Sequence, residues 1–189
     1  MLYTVRLEKE IEMHLKNKIK TAVGNLILQI YKHTSKHTVI ELSAFYDTPV
    51  MTKYHHIVTA LRYVAVEEHF GENNFGKALY AKANHLQNTQ QDFARFEALI
   101  GSIETKGYDK RYGLYVDLDG NCFNGTHRLA LCVWFGVTDI PVYIVKRHLN
   151  QPSVQEMKAY YGLSDQDYEQ LEQAYRRMRE RIQKNNSQR

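Results

Sequence analysis

Residues 124–128, Asn-Gly-Thr-His-Arg, set a hydroxyl, an imidazole and a guanidinium after a glycine and before the apolar run Leu129–Phe135. The pattern predicts a sharp bend that enters an amphipathic helix. A helix N-terminus presents unpaired N–H groups and the positive end of the macrodipole. Thr126, His127 and Arg128 in the first turn would make it a cradle for phosphate. Arg128 can offer phosphate two parallel N–H donors, as lysine cannot, or else form a surface salt bridge. His127 can hydrogen-bond a phosphate or polarise a transferring group, or simply hold the turn. Thr126 is the expected helix cap, with its hydroxyl also in reach of phosphate. Asn124 either fixes the bend or meets a metal-bridged phosphate.

The flanking segments must place this turn. Leu114–Leu118 alternates like a half-buried strand, Asp119-Gly120 suits a hairpin turn, and a strand carrying Cys122 returns to the bend. Gly136 stops the helix, and Ile140–Val145 predicts another strand with Pro141 at its start or on an edge. Upstream, Phe93, Phe96, Ile100 and Ile103 recur at helical spacing, and Gly107 closes that segment.

The ordered set Phe96, Leu99-Ile100, Ser102-Ile103, Gly107-Tyr108, a strand, Asp119-Gly120, Gly125-x-His127-Arg128, Gly136 and Ile140-Pro141-Val142 resembles the ParB/sulfiredoxin-like superfamily over roughly Phe93 to Val145. The resemblance implies an α+β fold: a core with a small mixed sheet, plus additional N-terminal, inserted and C-terminal helices. It also implies that Asn124, Gly125, Thr126, His127 and Arg128 bind nucleotide phosphates. Members include sulfiredoxins, free-serine kinases, CTP-binding partition proteins and nucleases, so the fold leaves the reaction open. Sulfiredoxins carry a cysteine directly before His-Arg, where this chain has Thr126, and neither Cys122 nor Cys132 replaces it in register. Partition proteins append a DNA-reading domain, whereas about forty residues follow the last predicted strand here. The resemblance therefore implies a kinase of a small hydroxylated metabolite, using ATP or ADP, with CTP also open. Mg2+ is expected as the companion of the phosphates, through few protein ligands. The alternatives are a nucleotide-binding regulator without turnover and a DNA-binding or nuclease protein.

A kinase needs an acceptor for the hydroxyl proton. The kinases that the chain resembles place an acidic residue after the first strand, a region that spans Glu41 to Pro49 here. Asp47 is the first candidate and Glu41 the second; Asp47 also reads as a turn residue capping its own backbone, and Glu41 as a solvent-facing strand carboxylate. Asp117 and Asp119 are candidates for ribose or metal contact, Asp119 being also a turn former. Adjacent His55 and His56 point to different sides of a helix and make a poor chelating pair, so no structural metal site is expected.

The remaining segments supply the frame. Ile11, Leu15, Ile19, Val23, Leu26 and Ile30 predict a helix over about 7–33. A strand at Thr38–Leu42, a turn at Asp47-Thr48-Pro49, a helix over Lys53–Phe70 ending at Gly71, and a helix over Phe75–Leu86 follow. The inserted helices, at about 53–88, either wall the acceptor side of the site or complete the core. Past the last strand, Ser153–Tyr161 predicts a short helix, and Ser164–Asp167 a capping box. Tyr168, Leu171, Tyr175, Met178 and Ile182 form a stripe that packs on its own domain or serves as a homodimer seam. Arg176, Arg177, Arg179, Arg181 and Lys184 make the other face basic, a solvated face before a nucleic-acid one. Disorder is expected after about Lys184.

The 189 residues, 43% hydrophobic and 24% charged, suit one soluble domain, with segments 1–36, 37–148 and 149–189. A net charge of +4 and a pI near 8.9 suit an anionic ligand more than nucleic acid. The two cysteines lack zinc spacing and read as reduced, buried thiols. No apolar run spans a bilayer and no signal-peptide core is evident, so no membrane partner and a cytoplasmic location are expected.

Overall fold

The computed structural model describes residues 26–27, 29–31, 33–83 and 89–188. The chain divides into two units, Met1–Lys36 and His37–Arg189. In the first, residues 26–27, 29–31 and 33–34 are helical, and a bend at Ser35 ends the helix. Most of the helix predicted over 7–33 lies outside the described residues.

The second unit is a mixed α+β structure around a four-stranded sheet ordered β1-β4-β2-β3. Strand β1 (Lys36–Glu41) ends one residue before the prediction, because Leu42 turns into a 3-10 helix, Leu42–Tyr46, that buries Leu42, Phe45 and Tyr46. Strand β2 (Leu114–Val116) pairs antiparallel with β3 (Cys122–Asn124) and parallel with β4 (Asp139–Ile144). The Asp119-Gly120 turn links β2 and β3 as expected. Its buried organiser is Asp117, which accepts from the backbone N–H groups of Asp119, Asn121 and Leu149 and from the Asn121 amide. Burial would raise the Asp117 pKa, but these hydrogen bonds outweigh it and hold the carboxyl below its ordinary value.

Six α-helices complete this unit among the described residues: α1 (Tyr54–His69), α2 (Gly76–Ala83), α3 (Thr89–Lys106), α4 (Thr126–Phe135), α5 (Val154–Tyr161) and α6 (Asp165–Ser187). Helix α1 is buried on most sides: Ile57, Val58, Ala60, Leu61, Val64 and Ala65 are at most 2% exposed. It packs against α2, α4 and α6, so the first inserted helix completes the core. Leu114, Val116, Cys122, Ile140 and Val142 close that core from the sheet. Residues 84–88, which include the end of the second inserted helix as predicted, lie outside the described residues.

Position 76, where helix α2 begins, is glycine because nothing larger fits. A Cβ there would lie 1.8 Å from the Val64 carbonyl oxygen, inside the backbone of α1. Asn73 fixes this crossing. Its Oδ1 accepts from the Phe75 and Gly76 N–H groups, and its Nδ2 donates to Val64 O and to Glu67.

At the C-terminal end the local signals hold. Ser153 caps α5 and Ser164 caps α6 with reciprocal bonds to Glu156 and Asp167. Helix α6 runs to Ser187, past the point where disorder was expected. Its stripe, Leu171, Tyr175, Met178 and Ile182, is buried on its own chain. Its basic face is largely committed: Arg177 forks onto buried Glu67 at 2.6 and 2.7 Å, Arg179 donates to Tyr46 O, and Arg181 meets Glu72 and stacks 3.8 Å from the Trp134 ring centre. Among the described residues, no helix is long and apolar enough to cross a membrane.

Candidate functional site

The bend between β3 and α4 depends on Gly125. Its φ is +100°, a region L side chains rarely adopt, and a Cβ would stand 2.6 Å from Leu114 Cδ2. Gly125 is also the N-cap residue, and no side chain caps the helix. Thr126, expected as the cap, is the first helical residue and is 7% exposed, because the left-handed glycine already turns the chain one residue earlier. The first backbone N–H groups of α4 are thus left without a side-chain partner.

The turn borders a cleft of about 450 Å3 lined by Tyr80, Asp92, Arg95, Phe96, Leu99, Asn124, Gly125, His127 and Arg128. Helix α3 packs on α4 and supplies Asp92, Arg95, Phe96 and Leu99, while α2 supplies Tyr80. The second inserted helix therefore lends Tyr80 to this cleft, whereas the first is core. Of the five residues expected to bind phosphate, Asn124, Gly125, His127 and Arg128 line the cleft, and Thr126 does not.

Arg128 donates from Nη1 to the carbonyls of Tyr112 and Gly113, at 2.9 and 2.7 Å. It forms no surface salt bridge among the described residues; it anchors the loop before β2 while its guanidinium stays at the cleft wall. Arg95 adds a second guanidinium, held 3.5 Å from Asp92 in an i,i+3 pair. The cleft thus carries one carboxylate and two guanidinium groups in its lining, next to a helix start.

His127 differs from a charged phosphate donor. Its Nε2 lies 2.8 Å from the Tyr80 hydroxyl, and its ring packs edge-on against Phe96 at 4.8 Å. Burial, reinforced by Arg62 and Arg128, lowers its pKa to about 3. It is a neutral imidazole at ordinary pH and can act only as a neutral donor or acceptor. Burial also raises the pKa of Tyr80, which keeps its hydroxyl protonated.

The carboxylates chosen from sequence are elsewhere. Asp47 is exposed and pairs with Lys53 at 3.5 Å; Glu41 is exposed and accepts from Asn186 at 3.1 Å. Neither lines the cleft. The carboxylate that does is Asp92, and no motif marks it: it sits in the first turn of α3, where acidic residues are common as helix starters. Asp119 is likewise occupied, paired with His148 at 2.7 Å.

The two adjacent histidines also depart from expectation. His55 and His56 do not diverge: their rings are 4.6 Å apart, and both Nε2 atoms reach the Phe45 carbonyl, at 3.1 and 2.9 Å. Long side chains on neighbouring helical positions can converge when one acceptor sits between them. The 3-10 turn supplies that acceptor. Among the described residues, no group of three or more His, Cys, Asp or Glu side chains is placed to hold a metal ion.

No protein family, curated protein or solved structure matches the chain.

Proposed function

We propose that this protein is a nucleotide-dependent phosphotransferase with a ParB/sulfiredoxin-like core, acting on the hydroxyl of a small metabolite. The observation that carries the reading is the uncapped start of α4, opening onto a cleft whose wall holds Arg95 and Arg128. Backbone donors at a helix N-terminus and guanidinium groups recognise phosphate oxygens by the same physics. The sequence pattern from Phe93 to Val145, resembling that superfamily, supports the same assignment.

In this reading the terminal phosphates of ATP or ADP lie against Gly125–Arg128. The acceptor hydroxyl lies in the cleft beside Asp92. Its oxygen attacks the terminal phosphorus, the bond from that phosphorus to the bridging oxygen breaks, and the shortened nucleotide leaves with the electron pair. Asp92 takes the hydroxyl proton. Neutral His127, held by Tyr80, contributes orientation more than charge. Mg2+ fits as a companion of the phosphates, bound mainly through phosphate and water oxygens with Asn124 as the side-chain oxygen donor left in the cleft; it would neutralise phosphate charge.

Titration calorimetry with ATP, ADP and CTP in magnesium buffer tests the seat. Saturable binding of at least one, weakened by Arg128→Gln, is the expected result. If none of the three binds, the reading fails. An acceptor screen that follows nucleotide consumption then separates a kinase from a nucleotide-binding regulator. Asp92→Asn should abolish acceptor-dependent consumption while nucleotide binding persists.

A further inference from the structure

The α6 stripe, one seam the sequence offers for a dimer, is spent on the chain's own core. The sheet offers another. Strand β1 ends the order β1-β4-β2-β3, and among the described residues no strand pairs with its far side. Leu42 N–H donates to Thr138 O at 2.6 Å, and the His37 ring meets that of Tyr143 at 5.0 Å. Together these contacts set β1 antiparallel to β4, its start beside the end of β4. Backbone groups alternate in direction along a strand, so Thr38 and Ile40 turn theirs toward β4, as Leu42 does. His37, Val39 and Glu41 therefore aim their N–H and C=O groups off the edge of the sheet.

The side chains alternate as well. Ile40 packs against the core, while Val39 is 58% exposed on the opposite face. Edge strands are commonly guarded by a proline or an interrupting charge. Strand β1, Lys-His-Thr-Val-Ile-Glu, has no proline, and Lys36 and Glu41 sit only at its ends.

We infer that β1 docks a second copy of this chain, antiparallel, about a two-fold axis at Val39. This inference does not depend on the nucleotide reading. A two-fold axis perpendicular to the sheet keeps the helices of both copies on one face, and it pairs residues of like parity. Centring it on Val39 is the choice that uses all three outward residues. Val39 then faces Val39 of the second copy, and His37 faces its Glu41 at both ends. The axis therefore buries an exposed apolar side chain against itself. Glu41 Oε1 holds Asn186, which leaves Oε2 to accept from the imidazole. No like charges oppose each other. Each such pair exchanges two main-chain bonds, about six in all. A contact of that size lies at the low end of specific interfaces, so the dimer should form only as concentration rises.

Sedimentation velocity on the full chain, from micromolar to near-millimolar concentration, tests this. Wild type should pass from monomer to dimer across the series. Val39→Lys and Val39→Glu each set like charges face to face across the axis, and each should raise the dissociation constant about tenfold or more. An equal mixture of the two variants should recover association, since opposite charges then meet. Val50→Lys, at an exposed valine off the strand, should change association less than about twofold. Wild type that stays monomeric throughout overturns the inference. So does a dimer that the Val39 variants leave intact, or a mixture that associates no better than either variant alone.

Discussion

Acidification should unfold this protein from its histidine pair outward. His55 and His56 are 0% exposed, and burial lowers their pKa values to about 4 and about 3. For His56 the second cause is His55 itself. Geometry adds a reason that His56 stays neutral. His56 Nδ1 accepts from the Thr52 and Lys53 N–H groups, at 3.3 and 3.4 Å, so a proton there would face two donors. In the unfolded chain both return to a pKa of about 6.5 and bind protons that the folded state refuses. The folded pKa values are depressed, so the unfolded state holds more protons below pH 6.5 and stability falls as pH falls. Each proton contributes about 1.4 kcal/mol per pH unit, and the pair should cost about 4 kcal/mol between pH 7.5 and 5. That is a large share of the roughly 5–15 kcal/mol that holds most domains folded. His127 acts in the same direction, while exposed His148, raised by Asp119, acts in the opposite one. Urea unfolding followed by circular dichroism at pH 7.5, 6.5, 6.0, 5.5 and 5.0 measures the slope. His56→Gln, which keeps a donor and an acceptor, should remove about 2 kcal/mol of the loss between pH 7.5 and 5, the slope per histidine approaching about 1.4 kcal/mol per pH unit only at the acid end. A wild-type stability that is level from pH 7 to 5, or a slope that His56→Gln leaves unchanged, refutes the reasoning.

Other perturbations follow from single contacts. Gly125→Ala must hold alanine at φ +100° against Leu114; a stability loss of roughly 1–2 kcal/mol in urea unfolding, together with lost nucleotide binding, is expected, and unchanged binding would count against the bend as the seat. Arg177→Met leaves Glu67, whose side chain is 2% exposed, without its forked partner. The loss should be about 3–5 kcal/mol, read as a melting temperature lower by roughly 10 °C, although Asn73 still donates to the carboxylate. Gly76→Ala drives a methyl into the Val64 carbonyl, so α2 must shift. Calorimetry should then show Tyr80's side of the cleft disturbed, as weaker nucleotide binding with a lower melting temperature. Asp92→Asn should remove turnover and keep affinity, whereas Asp47→Asn and Glu41→Gln should leave both within about twofold, since neither lines the cleft.

Much of the local structure was legible in the residues. Alternation marked β2, a β-branched run marked β4, helical spacing marked α3 and α6, and Ser164 with Asp167 announced a capping box that is present bond for bond. Such signals are legible because their cause is short-range: a side chain bonding a backbone group three residues away, or a period of burial on one face. Gly125 belongs here too, since a helix entered directly from a strand needs a left-handed residue at the bend. The α6 stripe was visible but not its partner, because an apolar face has no address written on it.

Sequence alone therefore determined the bend, the helix behind it and the residues that ring its first turn. Tertiary structure decided which carboxylate reaches them. Glu41 and Asp47 are held by Asn186 and Lys53, while α3, brought onto α4 by Phe96 and Leu131, delivers Asp92. It also decided charge: packing against Phe96 beside Arg62 and Arg128 makes His127 neutral, and a single carbonyl of the 3-10 turn gathers two histidines. The physical reason is common to these cases. Proton affinity and proximity across long stretches of chain depend on what desolvates a group and what charge faces it, and only the packed fold supplies those neighbours.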